Sequence, residues 1–370
     1  MTWHVQVWFN GRTNPVSFFL DRRCLQLCLL IGLMAGCMED AVHDRVDCTL
    51  NPNIVNLESD ASPIHDPSII RAGDRYYLYS SSALGAFYSS SDLMTWRAEG
   101  SVFSELPGWL VEKVPAADHI GSPDIHFYQG KYVLFYQSHK SNTCFAATGL
   151  ASNVTLDPSR SEYVWQDHGL ILNSIPHIED VEVYCGNDQA TFNAIDGHLF
   201  VDLDEAPYLV FGSTIGGIKA VALDAQTLKP QAGAQFYTLA ERLLWQDDPI
   251  IEAPYLMWRE GYYYLFVSHN HCCRGEDTRY QVRVGRSQNL TGPYYDRQGR
   301  ALTDGGGTLL ISGDGEYIGT GHADVLEEPG QDWLVHHSKD PLQNYRAYLN
   351  IRRINWTGRV GDRWPTLCAP

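Results

Sequence analysis

Four short stretches hold side chains of types that could do chemistry: Asp66 in "IHDPS", Asp196 in "NAID", Glu252 in "DDPIIEAPYLMW" and His322 in "GTGHADV". Glu252 poses the sharpest question, because it sits between isoleucines and an Ala-Pro-Tyr in a run with the composition of a buried strand. An ionised carboxylate taken from water without a partner is costly, and such a group responds by holding its proton. One protonated carboxyl and one ionised carboxylate on opposite sides of a bond are what glycosidic hydrolysis needs. Glu252 suits the acid. Asp66, preceded by His65 and less enclosed, suits the ionised base. Carboxylates that converge can also cage calcium, but that chemistry favours a dense D-x-D-x-D loop, and the chain has none.

These residues are far apart in sequence, so the fold must gather them. Five segments share one plan: an acidic residue near Pro or Ala, a hydrophobic strand, a turn, a Tyr-rich strand, and a further strand. Their leading acidic residues are Asp66, Asp124, Asp196, Glu252 and Asp324, separated by 58, 72, 56 and 72 positions. Each unit can supply about four short strands, which predicts an all-β, five-bladed β-propeller. The first strand of each propeller blade lines the central channel, so equivalent residues of successive blades meet on one axis. The competing arrangement is a two-domain β-sandwich with the acidic residues scattered in turns.

The 370 residues are 44% hydrophobic and 12% aromatic, enough for a large core. A net charge of -17 argues against a nucleic-acid partner, which needs Lys and Arg to displace counterions, and against a strongly acidic substrate. A neutral substrate remains. Near the N-terminus, Arg22 and Arg23 precede an apolar run from Leu25 to Ala35 and then Gly36-Cys37. This is the pattern of an export signal, too short for a membrane span. "LMAGC" resembles a bacterial lipobox, which makes Cys37 the expected lipidation site of an outer-membrane or cell-surface lipoprotein; the alternative is an ordinary signal peptide cut nearby and a secreted protein. Three regions are therefore expected: a signal over 1–37, a polar tether over 38–60, and a catalytic propeller over 61–370. Outside the signal and anchor, six cysteines remain: Cys48, Cys144, Cys185, Cys272, Cys273 and Cys368. Export permits disulfides. A Cys48–Cys368 staple of the two ends is one option, but sequence leaves the pairing open.

From about Pro63 to Pro365 the chain resembles glycoside hydrolase family 43, and within it the endo-acting arabinanases. The resemblance rests on the joint order of "HDPSII", "GLASNVTLDP", "NAID", "VFGS", "IEAP", "YYYLFVS", "CCRG", "VRVGRS", "TGPY", "DGGGTLL" and "GTGHADV". It implies a five-bladed propeller that cuts internal α-1,5 bonds of linear L-arabinan with inversion. Separately, a monomer is expected, touching the membrane only through the lipid on Cys37. By motif, Asp66 takes the place of the general base, Glu252 that of the general acid, and Asp196 that of the carboxylate that orients the acid and keeps it protonated. His322 matches the histidine that holds an axial metal ion, calcium being expected, mostly through waters. His65, Asn193 and Ser213 are expected to face the sugar, and Cys272 and Cys273 to be structural. An inverting pair should stand about 6.5–9.5 Å apart to seat a water.

Three positions depart from the family pattern. Gly121-Ser122 replaces Trp-Ala, Thr214-Ile215 replaces an aromatic pair, and Gly197-His198 replaces Pro-Asn. Two of these remove flat surfaces that stack on sugars. Specificity is thereby left open between endo action and two rivals. One is an exo-acting arabinanase, arabinofuranosidase or β-xylosidase of the same family; the other is a non-catalytic glycan-binding lipoprotein.

Overall fold

The computed structural model describes residues 54–55, 60–61, 63–140, 143–176, 185–187, 190–243, 247–313 and 316–368. The signal, Cys37 and Cys48 lie outside these residues.

The Tyr-, Val- and Phe-rich runs form the second strand of every blade: Arg75–Ser80, Lys131–His139, Pro207–Phe211, Tyr262–His269 and Gln331–Asp340. These strands are apolar on both faces because each face meets a different blade. In the third, Leu209 and Phe211 pack with Val133 and Phe135 of the blade before. The residue between them, Val210, packs with Leu256, Leu265 and Val267 of the blade after. Period-two alternation thus divides one strand between two cores. Such cores fill all five seams, the last joining Leu326, Val335 and Leu349 to Ile69, Leu78 and Trp96.

The protein is a five-bladed β-propeller, each blade an antiparallel sheet. Its innermost strands are Ser68–Ala72, Gly121–Tyr128, His198–Val201, Ile251–Arg259 and Ile318–Glu328. The ring closes at the fifth blade, where Ile54–Val55 pairs antiparallel with Arg346–Thr357. The region expected to be tether up to residue 60 therefore contributes a strand to the propeller. Cys144 and Cys185 form a disulfide within the second blade, and Cys272 and Cys273 form one with each other. Cys368 is also disulfide-bonded.

The repeat is more regular in backbone than in acidic residues. Asp66, Ser122, Asp196, Ala253 and His322 all have left-handed φ, between 41° and 55°. In the second, fourth and fifth blades this residue sits in a bulge, where the ladder register shifts after Gly121, Glu252 and Gly321. A bulge re-aims a side chain, here at the mouth of the channel. Asp66 and Asp196 occupy the ring position, and Glu252 stands one residue before it.

Asp124 and Asp324, two residues beyond the ring, do not join Asp66, Asp196 and Glu252; they latch blades together. Asp324 Oδ2 accepts the Ile69 N–H at 2.8 Å, and Ser68 Oγ accepts the Ile125 N–H at 3.1 Å. Asp124 Oδ2 accepts the Leu199 N–H at 2.8 Å, His198 Nε2 donates to the Leu256 carbonyl at 3.0 Å, and Tyr255 donates to the Val325 carbonyl at 2.8 Å. The five contacts close a circle. Asp324→Ala leaves the Ile69 N–H buried without a partner, an expected loss of about 1–3 kcal/mol. Asp324→Asn, which keeps an acceptor, should lose less. Urea unfolding of both variants checks this, and equal losses would discount the latch.

Candidate active site

The ring's backbone N–H groups need acceptors, and each is met by a side chain of the preceding blade. Ser122 donates to Ser81 Oγ at 2.9 Å, Asp196 to Gln137 Oε1 at 3.1 Å, His322 to Ser268 Oγ at 2.9 Å and Asp66 to His337 Nδ1 at 3.2 Å. These acceptors stand at equivalent points of the second strands. The third blade has Gly212 there, which pairs with Ile195 and has no side chain to offer. A Cβ at Gly212 would come within 2.6 Å of the Gly217 carbonyl oxygen. The missing acceptor is supplied by Asp196 itself, whose Oδ2 takes the Ala253 N–H at 3.0 Å. That contact ties the Asp196 carboxylate to the residue next to Glu252.

Asp66 is buried and heavily partnered. Ser81 donates to Oδ2 at 2.6 Å, while His65 Nδ1 and His322 Nδ1 lie 2.8 and 3.1 Å from Oδ1. Burial alone would raise its pKa, but His65 and then His322 outweigh it and hold the carboxyl well below the usual range. His322 shows the reverse balance. Burial lowers it, yet Asp66 raises it to about 9. His337 accepts the Asp66 N–H at Nδ1 and is kept neutral by burial and by His65. Its ring stacks on His65 at 4.2 Å between centroids.

Glu252 is partly buried and pushed up to about 7, first by loss of water and then by the negative charge of Asp196. Its hydrogen bond with Tyr280 works in the opposite direction. Tyr280 can lie there because the neighbouring inner strand has Gly321, where a Cβ would meet the ring at 2.1 Å. Gln137 Nε2 also donates to Asp196 Oδ1 at 3.2 Å. The site therefore holds one carboxylate kept ionised, one carboxyl kept protonated near neutrality, and a third acting on the second.

The other expected residues fall as follows. His65 supports Asp66 through Nδ1, and its Nε2 lies 3.7 Å from Cys273 Sγ. Asn193 is buried and accepts the Ser174 hydroxyl at 3.3 Å. Ser213 is buried beside Gly212, and among the described residues no hydrogen bond joins it to the three carboxylates. Ser81, Gln137, Tyr280, Ser268 and His337 were not singled out in the sequence. Four of them share a readable signal, a polar residue ending a Tyr- or Val-rich strand; Tyr280 has none. At Gly121, where the family pattern carries Trp, His119 fills the space, its ring 3.2 Å from where a Cβ would be. A small cavity of about 20 Å³ continues down the axis, lined by Asp196, His322, Asp124, His198 and Asp324 among others.

A closed propeller with one carboxyl held ionised and another pushed up to about 7 at its axis suits glycosidic hydrolysis. The model of Glycosyl hydrolases family 43 matches residues 61–361. An extracellular exo-alpha-(1->5)-L-arabinofuranosidase of Cellvibrio japonicus (strain Ueda107) is 34% identical over 310 residues, covering 82% of this chain and 85% of that protein. An extracellular endo-alpha-(1->5)-L-arabinanase of Bacillus subtilis (strain 168) is 34% identical over 313 residues, covering 82% and 87%. Among solved structures, the Cellvibrio cellulosa alpha-L-arabinanase complexed with arabinohexaose superposes with a TM-score of 0.75 at 33% identity, covering 82% of this chain and 95% of that one. The endo-arabinanase from Bacillus licheniformis gives 0.73 at 36% identity, covering 84% and 99%. The chain belongs to Glycosyl hydrolases family 43.

Proposed function

We propose that this protein is an exported, inverting α-L-arabinanase that cuts internal α-1,5 bonds of linear arabinan. The observation that carries the reading is the split between two carboxyls of one pocket, Asp66 held well below its usual range and Glu252 pushed up to about 7. Asp66, oriented by Ser81 and His65, takes a proton from water as it attacks the anomeric carbon. Glu252 gives its proton to the departing sugar oxygen. Asp196 keeps Glu252 protonated by like-charge repulsion and fixes the adjoining backbone through Ala253. Export and tethering through Cys37 belong to the same reading, supported by the leader sequence and by the extracellular names of the relatives.

Linear arabinan should yield a ladder of oligosaccharides from the earliest times, and NMR of fresh product should show the inverted anomer. A single small product from the start would assign exo action, the mode named for the Cellvibrio japonicus relative. Retention, or no new reducing ends at all, would end the proposal.

Asp196→Asn removes the charge that opposes ionisation of Glu252, so Glu252 should lose its proton at lower pH. The alkaline limb of the pH–rate profile should move toward acid, with kcat down roughly 10- to 100-fold, less than deletion of the acid itself. An unmoved limb would free Asp196 of this role.

Calcium is the ion we assign to His322. Nδ1 is engaged by Asp66, so Nε2 of a neutral imidazole would hold the ion. The surrounding Asp66 and Asp196 give the negative field such an ion needs, while one nitrogen leaves most of its shell to water. Bound there, it would supply positive charge beside the two working carboxyls. Chelation should lower the thermal midpoint; an unchanged midpoint would remove the ion.

A further inference from the structure

Two and four residues further along the inner strands lies a cluster that hydrolysis does not use. Asp124 and His126 stand on one face of Gly121–Tyr128, and His198 opens the neighbouring strand His198–Val201. Asp124 Oδ1 is 2.9 Å from His198 Nδ1, and Oδ2 is 2.8 Å from His126 Nε2. The ligand-capable atoms of all three residues lie within 4.8 Å of one another.

The hydrogen bonds constrain what sits among them. His198 Nε2 faces the Leu256 carbonyl at 3.0 Å, an acceptor with no proton to give, so this nitrogen carries the N–H. With that proton on Nε2, Nδ1 can turn a lone pair onto the carboxylate oxygen. Two acceptors at that distance need a cation between them. His126 Nε2 is closed to solvent and, although close to Asp124, makes no hydrogen bond. Asp324 and Glu327 lie near enough to act on the charge of His126 and add negative field. A backbone carbonyl on the far nitrogen is also the outer contact that orients metal-ligating histidines.

We propose that Asp124, His126 and His198 bind a divalent transition-metal ion of the zinc class, clamping the second blade to the third. Two imidazoles and a carboxylate suit zinc, whereas calcium wants six to eight oxygens. The cluster does not include His322, which lines the same axial cavity, and the side chain of His126, 26% exposed, gives the ion a way in. Two of the three ligands also serve as blade latches, so the ion would reinforce a seam that the backbone already closes.

The test uses the full chain stripped by chelator and titrated with Zn2+ by calorimetry, and with Co2+ as a visible probe. One equivalent of Zn2+ should bind in the presence of excess calcium and also in His322→Ala. His126→Ala, at a partly exposed position, should weaken it by at least about 100-fold. Zn2+ should raise the thermal midpoint of the wild type and leave that of His126→Ala unmoved. The wild type should show the d–d bands of Co2+ bound through nitrogen. Absence of those bands, no stoichiometric uptake, or uptake undiminished in His126→Ala would each overturn the site and leave a proton on His198 Nδ1 as the cation.

Discussion

Glu252→Ala is expected to lower kcat on linear arabinan by about 10²- to 10⁴-fold, the range a general acid contributes. The sugar oxygen that departs is a poor leaving group, and Glu252 is placed to hand it a proton. Its carboxyl, pushed up to about 7, still holds that proton in mildly acidic solution. Wild-type activity should accordingly fall as pH rises through about 7, and this limb should vanish in the variant. An arabinoside with an acidic phenol as leaving group needs no proton, so the variant should lose far less on it. Equal losses on the two substrates would take the acid role from Glu252. The fold should not suffer, because the substitution removes a carboxyl held in an unfavourable setting. A thermal midpoint at or above that of the wild type is expected, the pattern of a residue kept for activity at some cost in stability.

Asp66→Asn should be equally damaging but differ in kind. The amide cannot take a proton from water, so turnover should fall by about 10²- to 10⁴-fold on activated and natural substrates alike. Azide, a nucleophile that needs no base, should restore part of the turnover and give a glycosyl azide of inverted configuration. Rescue with retained configuration, or none with any nucleophile, would count against Asp66 as base. In the wild type, His65 and His322 keep Asp66 ionised far into the acid range. The acid limb should therefore lie below the ordinary carboxylate pKa. His322 should respond too, since Asp66 is what raises it to about 9 against burial. In chelator-treated protein, NMR titration of its ring should show the pKa falling in Asp66→Asn.

The two carboxyls proposed as acid and base were legible because each breaks a local rule. Glu252 interrupts an apolar strand, and Asp66 follows a histidine at the start of one. Fold class was legible for a related reason: strands covered on both faces read as unbroken apolar runs, and five such runs recur. What misled was the acidic series itself. Asp66, Asp124, Asp196, Glu252 and Asp324 look like one repeat, yet the backbone register is Asp66, Ser122, Asp196, Ala253 and His322. A bulge changes which neighbour a side chain faces without changing composition, so a one- or two-residue offset is invisible in sequence. Tyr280 was missed because it reaches Glu252 from the segment just before the strand Gln281–Ser287, over a glycine that only the packed seam explains.

Sequence alone determined the strand content, the five-fold repeat, the family and the candidate carboxyls, since these follow from residue type and order along the chain. Tertiary structure decided what holds the proton on Glu252, that Asp124 and Asp324 latch blades instead of joining the other three carboxyls, and that Asp196 takes over an acceptor position left vacant by Gly212. Proton affinity and hydrogen-bond satisfaction depend on distance and on exclusion of water. Those quantities come into being only when residues from separate blades close around the axis.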